Sequence, residues 1–204
     1  MNMKKHILLL LLLPLLVYPQ NTDQQILLPS GWSLFSTYIM PENNTLDNIF
    51  STIINDLVII KDENGNAYWP EYELDLIGNL TAGKGYLIKM NNPHNLTITG
   101  NQVDCDTVID LTNGWNLIGY LNSSTSSVEN QFSSIIDDVI IIKDDSGNVY
   151  WPLYGINSIN NLNPGKGYQI KLANNVMFSY VCEDNCNYYE YSCDGGTWQS
   201  EIYW

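Results

Sequence analysis

The chain has 204 residues, with 22 acidic side chains against eight basic ones and a formal net charge of −14. A surface of that sign repels phosphate backbones, which argues against nucleic-acid binding. At 45% hydrophobic and 12% aromatic residues it is no disordered acidic tail, and it can bury one or two small cores.

The first stretch, MNMKKHILLLLLLPLLVYPQ, is a short basic start followed by an apolar run broken by Pro14. It reads as a signal peptide over residues 1–20, cleaved near residues 18–22, with a retained anchor as the alternative. The remaining chain then carries six lysines, 22 acids and a net −16, with no arginine. The expected location is secreted, extracellular or at the cell surface, without membrane insertion after cleavage.

From there the chain repeats itself. VIIKDENGNAYWPEY at 58–72 returns as IIIKDDSGNVYWPLY at 140–154, and Gly31-Trp32 returns as Gly114-Trp115. The boundaries are unit 1 at 26–100, a linker at 101–107, unit 2 at 108–181 and a Cys- and Tyr-rich tail at 182–204.

Each unit opens with a short alternating strand headed by Trp32 or Trp115, both expected in the core. Leu46, Ile49, Phe50, Ile53, Ile54 and Leu57 then recur at spacings of three and four, as do Val128, Phe132, Ile135, Ile136 and Val139. That stripe predicts an amphipathic helix of about three turns, capped by Asn44 or Thr45 in unit 1 and by a Ser126/Glu129 box in unit 2. A buried strand (57–61, 139–143), a Gly-Asn turn, a partner strand ending at Pro70 or Pro152, and two further strands (86–90 and 96–99; 168–172 and 176–180) complete each unit. The fold class is α+β, mainly β: two homologous small units, each a curled antiparallel sheet or partial barrel with one amphipathic helix.

The set GWxL, KDxxGNxYWP and PGKGYxIK resembles a module that recurs, often in tandem, in secreted and cell-surface proteins of Bacteroidota-type bacteria. The resemblance covers residues 27–180. It implies an extracellular accessory module and supplies no activity.

Candidate chemistry is sparse. Cys105, Cys182, Cys186 and Cys193 read as disulfides in an exported chain, with Cys105–Cys182 and Cys186–Cys193 favoured because Cys105 and Cys182 each follow the last strand of a unit. The lysines recur pairwise as Lys61/Lys143, Lys84/Lys166 and Lys89/Lys171, while Glu71 faces Leu153 and Glu73 faces Gly155. Lysine stems laid over Tyr86 or Trp69 and tied to Asp62 or a carbonyl are one reading; anion contacts in a ligand groove are the other. Trp69, Tyr72 and Lys84, with Trp151, Tyr154 and Lys166, are the candidate ligand-binding residues. The turns at Asp62 and Asp144 hold several oxygens but lack the twelve-residue loop and closing Glu of an EF-hand, leaving weak calcium binding as their alternative role. No other cofactor or metal is expected.

Gly78-Asn-Leu-Thr-Ala-Gly-Lys approaches a phosphate-binding loop, but Gly85 stands where Ser or Thr is needed and a strand follows, so it reads as a turn. His94 is the one histidine outside the leader and has no counterpart in unit 2, so no catalytic residue is assigned. The expectation is a non-enzymatic module for adhesion or cell-surface assembly whose partner is an extracellular protein, a glycan or a second copy. The alternative is a carbohydrate-binding module using exposed Trp and Tyr. A remoter one, an acidic glycosidase, needs two carboxylates about 5–9 Å apart across a pocket.

Overall fold

The computed structural model describes residues 21–182; the expected signal peptide and the Cys186–Cys193 pair lie outside them. Unit 1 contains β1 (Thr22–Leu28), β2 (Gly31–Phe35), β3 (Ile39–Met40), α1 (Leu46–Phe50), β4 (Leu57–Lys61), β5 (Ala67–Trp69), β6 (Leu74–Asp75), β7 (Tyr86–Met90) and β8 (His94–Gln102). Unit 2 contains β9 (Ile109–Leu111), β10 (Gly114–Gly119), β11 (Ser126–Ser127), α2 (Val128–Gln131), β12 (Val139–Lys143), β13 (Val149–Trp151), β14 (Ile156–Asn157), β15 (Asn161–Leu162), β16 (Gly167–Leu172) and β17 (Val176–Phe178).

The protein is mainly β, and its two five-stranded antiparallel sheets share one order: β2-β7-β4-β5-β6 and β10-β16-β12-β13-β14. Even the bulge repeats, between Leu57 and Ile59 in one unit and between Val139 and Ile141 in the other. None of these sheets closes or curls into a barrel. Closure would need β8 to return to the sheet that β2 begins; instead β8 pairs with β1 along its length, Thr22↔Gly100 to Leu28↔His94, and with β3.

The helices are shorter than the apolar stripe suggests. After Phe50 the chain continues in i→i−3 turns, with Ile53 N–H donating to Phe50 and Asp56 N–H to Ile53. Thr52, Ile53 and Ile54 are β-branched and crowd a helical turn, so the stripe stays buried without helical pitch. The caps also differ: Thr45 makes no side-chain capping bond, and in unit 2 Ser127, one residue on from Ser126, is the cap.

Each unit encloses its own core. Phe35, Phe50, Ile60 and Ile88 are among the fully buried residues of the first, and Phe132, Ile142, Ile170 and Phe178 of the second. Phe35 and Phe50 meet edge-on with centroids 5.5 Å apart, and Phe132 stacks on Phe178 at 4.8 Å. Burying each such side chain contributes about 1.5–3 kcal/mol.

Phe35 also sets the phase of β2. Alternation carries Ser33 inward with it (2% exposed) and turns Trp32 outward. In β10 the residue matching Ser33 is Asn116, also buried and held by Thr112, so Trp115 faces outward too. Trp32 and Trp115 are 45% and 50% exposed and are not core residues. The Cys105–Cys182 disulfide forms as expected and closes a separation of 77 residues.

Candidate functional site

The repeated features fall into four places. The first is the hairpin turn. In unit 1 the Asp62 carboxylate accepts the Asn64 and Asn66 N–H groups on one oxygen and the Asn66 side-chain amide on the other. Asp144 does the same with Ser146 and Asn148. Both carboxylates are thus taken up in shaping the turn. Among the described residues no trio of His, Cys, Asp or Glu is placed to hold a metal.

The second place is the Trp-Pro corner. Trp69 and Tyr72 pack edge-on at 4.6 Å, as do Trp151 and Tyr154. The indoles are half-buried and the two tyrosines are exposed, next to Leu74 and Leu76 in one unit and Leu153 and Ile156 in the other. These corners form the outer ends of the five-stranded sheets, far along the strand order from β2 and β10.

The third place is a seam between the units, and it takes the candidate lysines Lys84 and Lys166. Lys84 pairs with Glu63, whose other oxygen accepts the Leu117 N–H of unit 2 at 3.3 Å. Lys166 lies 3.5 Å from Asp145, and that same oxygen accepts the Leu34 N–H of unit 1 at 3.1 Å. Isolated bridges Phe35↔Lys166 and Lys84↔Ile118 run alongside. The arrangement is a pseudo-two-fold axis built within one chain. At that axis Gly119 faces Ser36; a Cβ on Gly119 would sit 2.6 Å from the Lys84 carbonyl oxygen and 2.8 Å from the Ser36 Cβ. Ser36 instead donates to the Lys166 carbonyl at 2.6 Å and accepts the Tyr120 N–H at 3.1 Å.

A shallow cleft of 150 Å³ opens beside Lys84, lined in part by Asp62, Glu63, Asn79 and Tyr86. It is smaller than the roughly 300–1,000 Å³ of ordinary small-molecule sites. The six candidate ligand residues therefore do not converge: Trp69/Tyr72 and Trp151/Tyr154 make two corners, while Lys84 and Lys166 belong to the seam.

The fourth place was hidden by the expectation that Trp32 is buried. Lys61 and Lys89 lie with their ammonium groups 5.8 and 5.7 Å from the Trp32 ring centroid. Lys143 and Lys171 lie 5.1 and 5.9 Å from that of Trp115. Trp32 pairs with Lys89 and Trp115 with Lys171 in register, which puts each cation beside its indole on the outer sheet face. The lysines do lie on aromatic rings, but on Trp32 and Trp115 rather than on Tyr86 or Trp69. The pairing of Trp and Lys copies at fixed spacing was the signal; the inward phase of Ser33 was needed to read it.

Comparison with known protein families, with curated proteins and with solved structures gives no match.

Proposed function

We propose that this chain is a secreted, non-enzymatic binding module for adhesion or cell-surface assembly, with its two units acting as one bivalent body. The observation that supports it most directly is the duplicated set of exposed rings, Trp32/Trp115 and Tyr72/Tyr154, held in fixed relation by a hydrogen-bonded seam. Large rings left in water at equivalent positions of both units are the surfaces that duplication has preserved, while Glu71/Leu153 and Glu73/Gly155 have diverged. The resemblance to tandem modules of secreted Bacteroidota-type proteins agrees with this role. The test is to apply fluorescently labelled mature protein to the envelope of the cells that make it. Saturable retention is expected; retention that rises linearly without saturating overturns the reading.

A second reading, carbohydrate binding at the corners, draws on the 62% exposure of both Tyr72 and Tyr154, each braced edge-on by an indole. A neutral-glycan array with Tyr72→Ala and Tyr154→Ala variants tests it. Loss of a glycan signal in those variants supports sugar stacking there; no signal with any neutral glycan removes it.

A further inference from the structure

Six lysines lie among the described residues, and they divide sharply. Lys84 and Lys166 are neutralised at the seam by Glu63 and Asp145. Lys61, Lys89, Lys143 and Lys171 make no ion pair among the described residues, although the chain carries 22 acids. All four instead flank the two outward indoles. We infer that Trp32 with Lys61 and Lys89, and Trp115 with Lys143 and Lys171, form two equivalent sites for an anionic pyranose polymer, each taking a sugar ring on the indole and its carboxylate or sulfate on the ammonium pair. This rests on the binding reading above and names its ligand class.

The chemistry of the patch selects that ligand. A sugar acid joins an apolar C–H face to a charge on one rigid ring, and the patch joins an indole face to two cations on one rigid sheet. The lysine stems are half-buried against the sheet, so part of their ordering cost is met before binding. A cation–π contact at 5.1–5.9 Å leaves the ammonium N–H groups able to donate to an anion. Trp32 and Trp115 are 45% and 50% exposed, which leaves indole surface in solvent for a ligand to cover.

Two rival anions fit worse. An acidic peptide would gain most by adding a strand to the edge at β2 or β10. There the Leu34 and Leu117 N–H groups are already taken by Asp145 and Glu63, so neither can donate to an added strand. A polyphosphate brings dense charge against a protein of net −14. A polyphosphate also has no apolar ring face to lay on an indole, whereas a charged pyranose polymer on the sheet face meets both the rings and the four cations.

The experiment is calorimetric titration of the full mature chain, disulfide intact, with polygalacturonate, dextran sulfate, dextran and polyglutamate. Polygalacturonate or dextran sulfate should bind at least about tenfold more tightly than dextran or polyglutamate, and weaken with added salt. The arm that binds shows whether carboxylate or sulfate is preferred. Trp32→Ala or Trp115→Ala should each lower apparent affinity by roughly tenfold or more, because binding is bivalent, and together should abolish it. Lys89→Gln with Lys171→Gln should remove the preference over dextran while leaving the thermal midpoint within a few degrees. Equal affinity for dextran, stronger binding of polyglutamate, binding indifferent to the Trp variants, or no binding to any of the four overturns the assignment. A Lys61, Lys89, Lys143 and Lys171 to Gln variant separates the two levels. If it still saturates the cell envelope as the parent does, the module binds by another surface; if neither protein is retained there, the binding reading fails as well.

Discussion

Glu63 and Asp145 stand at equivalent places in the two hairpin turns, and each carboxylate reaches over the seam to accept an N–H from the other unit, Leu117 in β10 or Leu34 in β2. That relation explains much of the repeated Gly-Lys-Gly: the lysine neutralises its own unit's acid, and the second glycine, Gly85 or Gly167, lets the two backbones approach, since a Cβ there would meet the Ile118 or Phe35 carbonyl oxygen. It also protects β2 and β10, since an edge N–H held by a carboxylate is no template for a stray strand.

Glu63→Ala and Asp145→Ala should each lower stability by about 1 kcal/mol, the worth of a partly solvated charged hydrogen bond after screening. Gly119→Ala should cost more, roughly 1–3 kcal/mol, because its methyl meets the Lys84 carbonyl and the Ser36 Cβ. Urea unfolding of the three variants checks both. A Gly119→Ala protein as stable as the parent would mean that the units do not meet there in solution.

The disulfide joins the segment after β8 to the segment after β17 and fastens the end of unit 2 to the linker. For a closed loop of this length, Cys105→Ser should reduce stability by roughly 2–5 kcal/mol. Peptide mapping without reductant should recover Cys105 linked to Cys182. Recovery of Cys105 linked to Cys186 or Cys193 instead would refute the pairing.

Much of the fold can be read from the chain because it is written twice. Strands β4, β5 and β7 and their copies follow from runs such as Leu57–Lys61 and from paired Gly and Pro. β1 is harder: Gln24, Ile26 and Leu28 alternate inward, but a buried glutamine weakens the pattern, and only pairing with β8 explains it. The indole sites are harder still. Gly-Trp-Ser-Leu-Phe allows either phase, and tryptophan at the head of an apolar strand suggests the core. The packing of Phe35 against Phe50 and Tyr86 decides otherwise. The seam depends on which surfaces of the two units meet, and no local period encodes that.

Glu73 adopts a left-handed conformation at φ 52°, where the sister unit has Gly155 at φ 63°. A side chain there strains the backbone by about 1 kcal/mol or slightly more, partly offset by the greater freedom of glycine in the unfolded chain. Glu73→Gly should therefore raise stability by up to about 1 kcal/mol, and Gly155→Ala should lower it by a similar amount. Thermal unfolding of both variants measures the pair. A loss of stability in Glu73→Gly would show that the Glu73 side chain makes a contact worth more than the strain.

Stability should fall at both ends of the pH scale for separate reasons. At the acid end, hydrogen bonds from His94 first and Asn92 second hold Asp56 below its ordinary carboxylate range. The folded value lies under the unfolded one. Its contribution is thus present above the unfolded value and is lost as pH falls through the folded one. At the alkaline end, burial pushes the Tyr168 phenol up to about 12 and raises its counterpart Tyr86, against partly opposing hydrogen bonds from the N–H groups of Asn163 and Thr81. Burial likewise raises Tyr38, Tyr68, Tyr150 and Tyr180. For these groups the fold holds the neutral form. Their contribution is full below the unfolded phenol value near 10 and is lost as pH climbs through the folded values, about 12 for Tyr168. Phenolate absorbance of the native protein should therefore include a late step in which these six tyrosines titrate. In denaturant the curve should collapse to a single step. A single ordinary step in the native protein would show that these six phenols meet solvent.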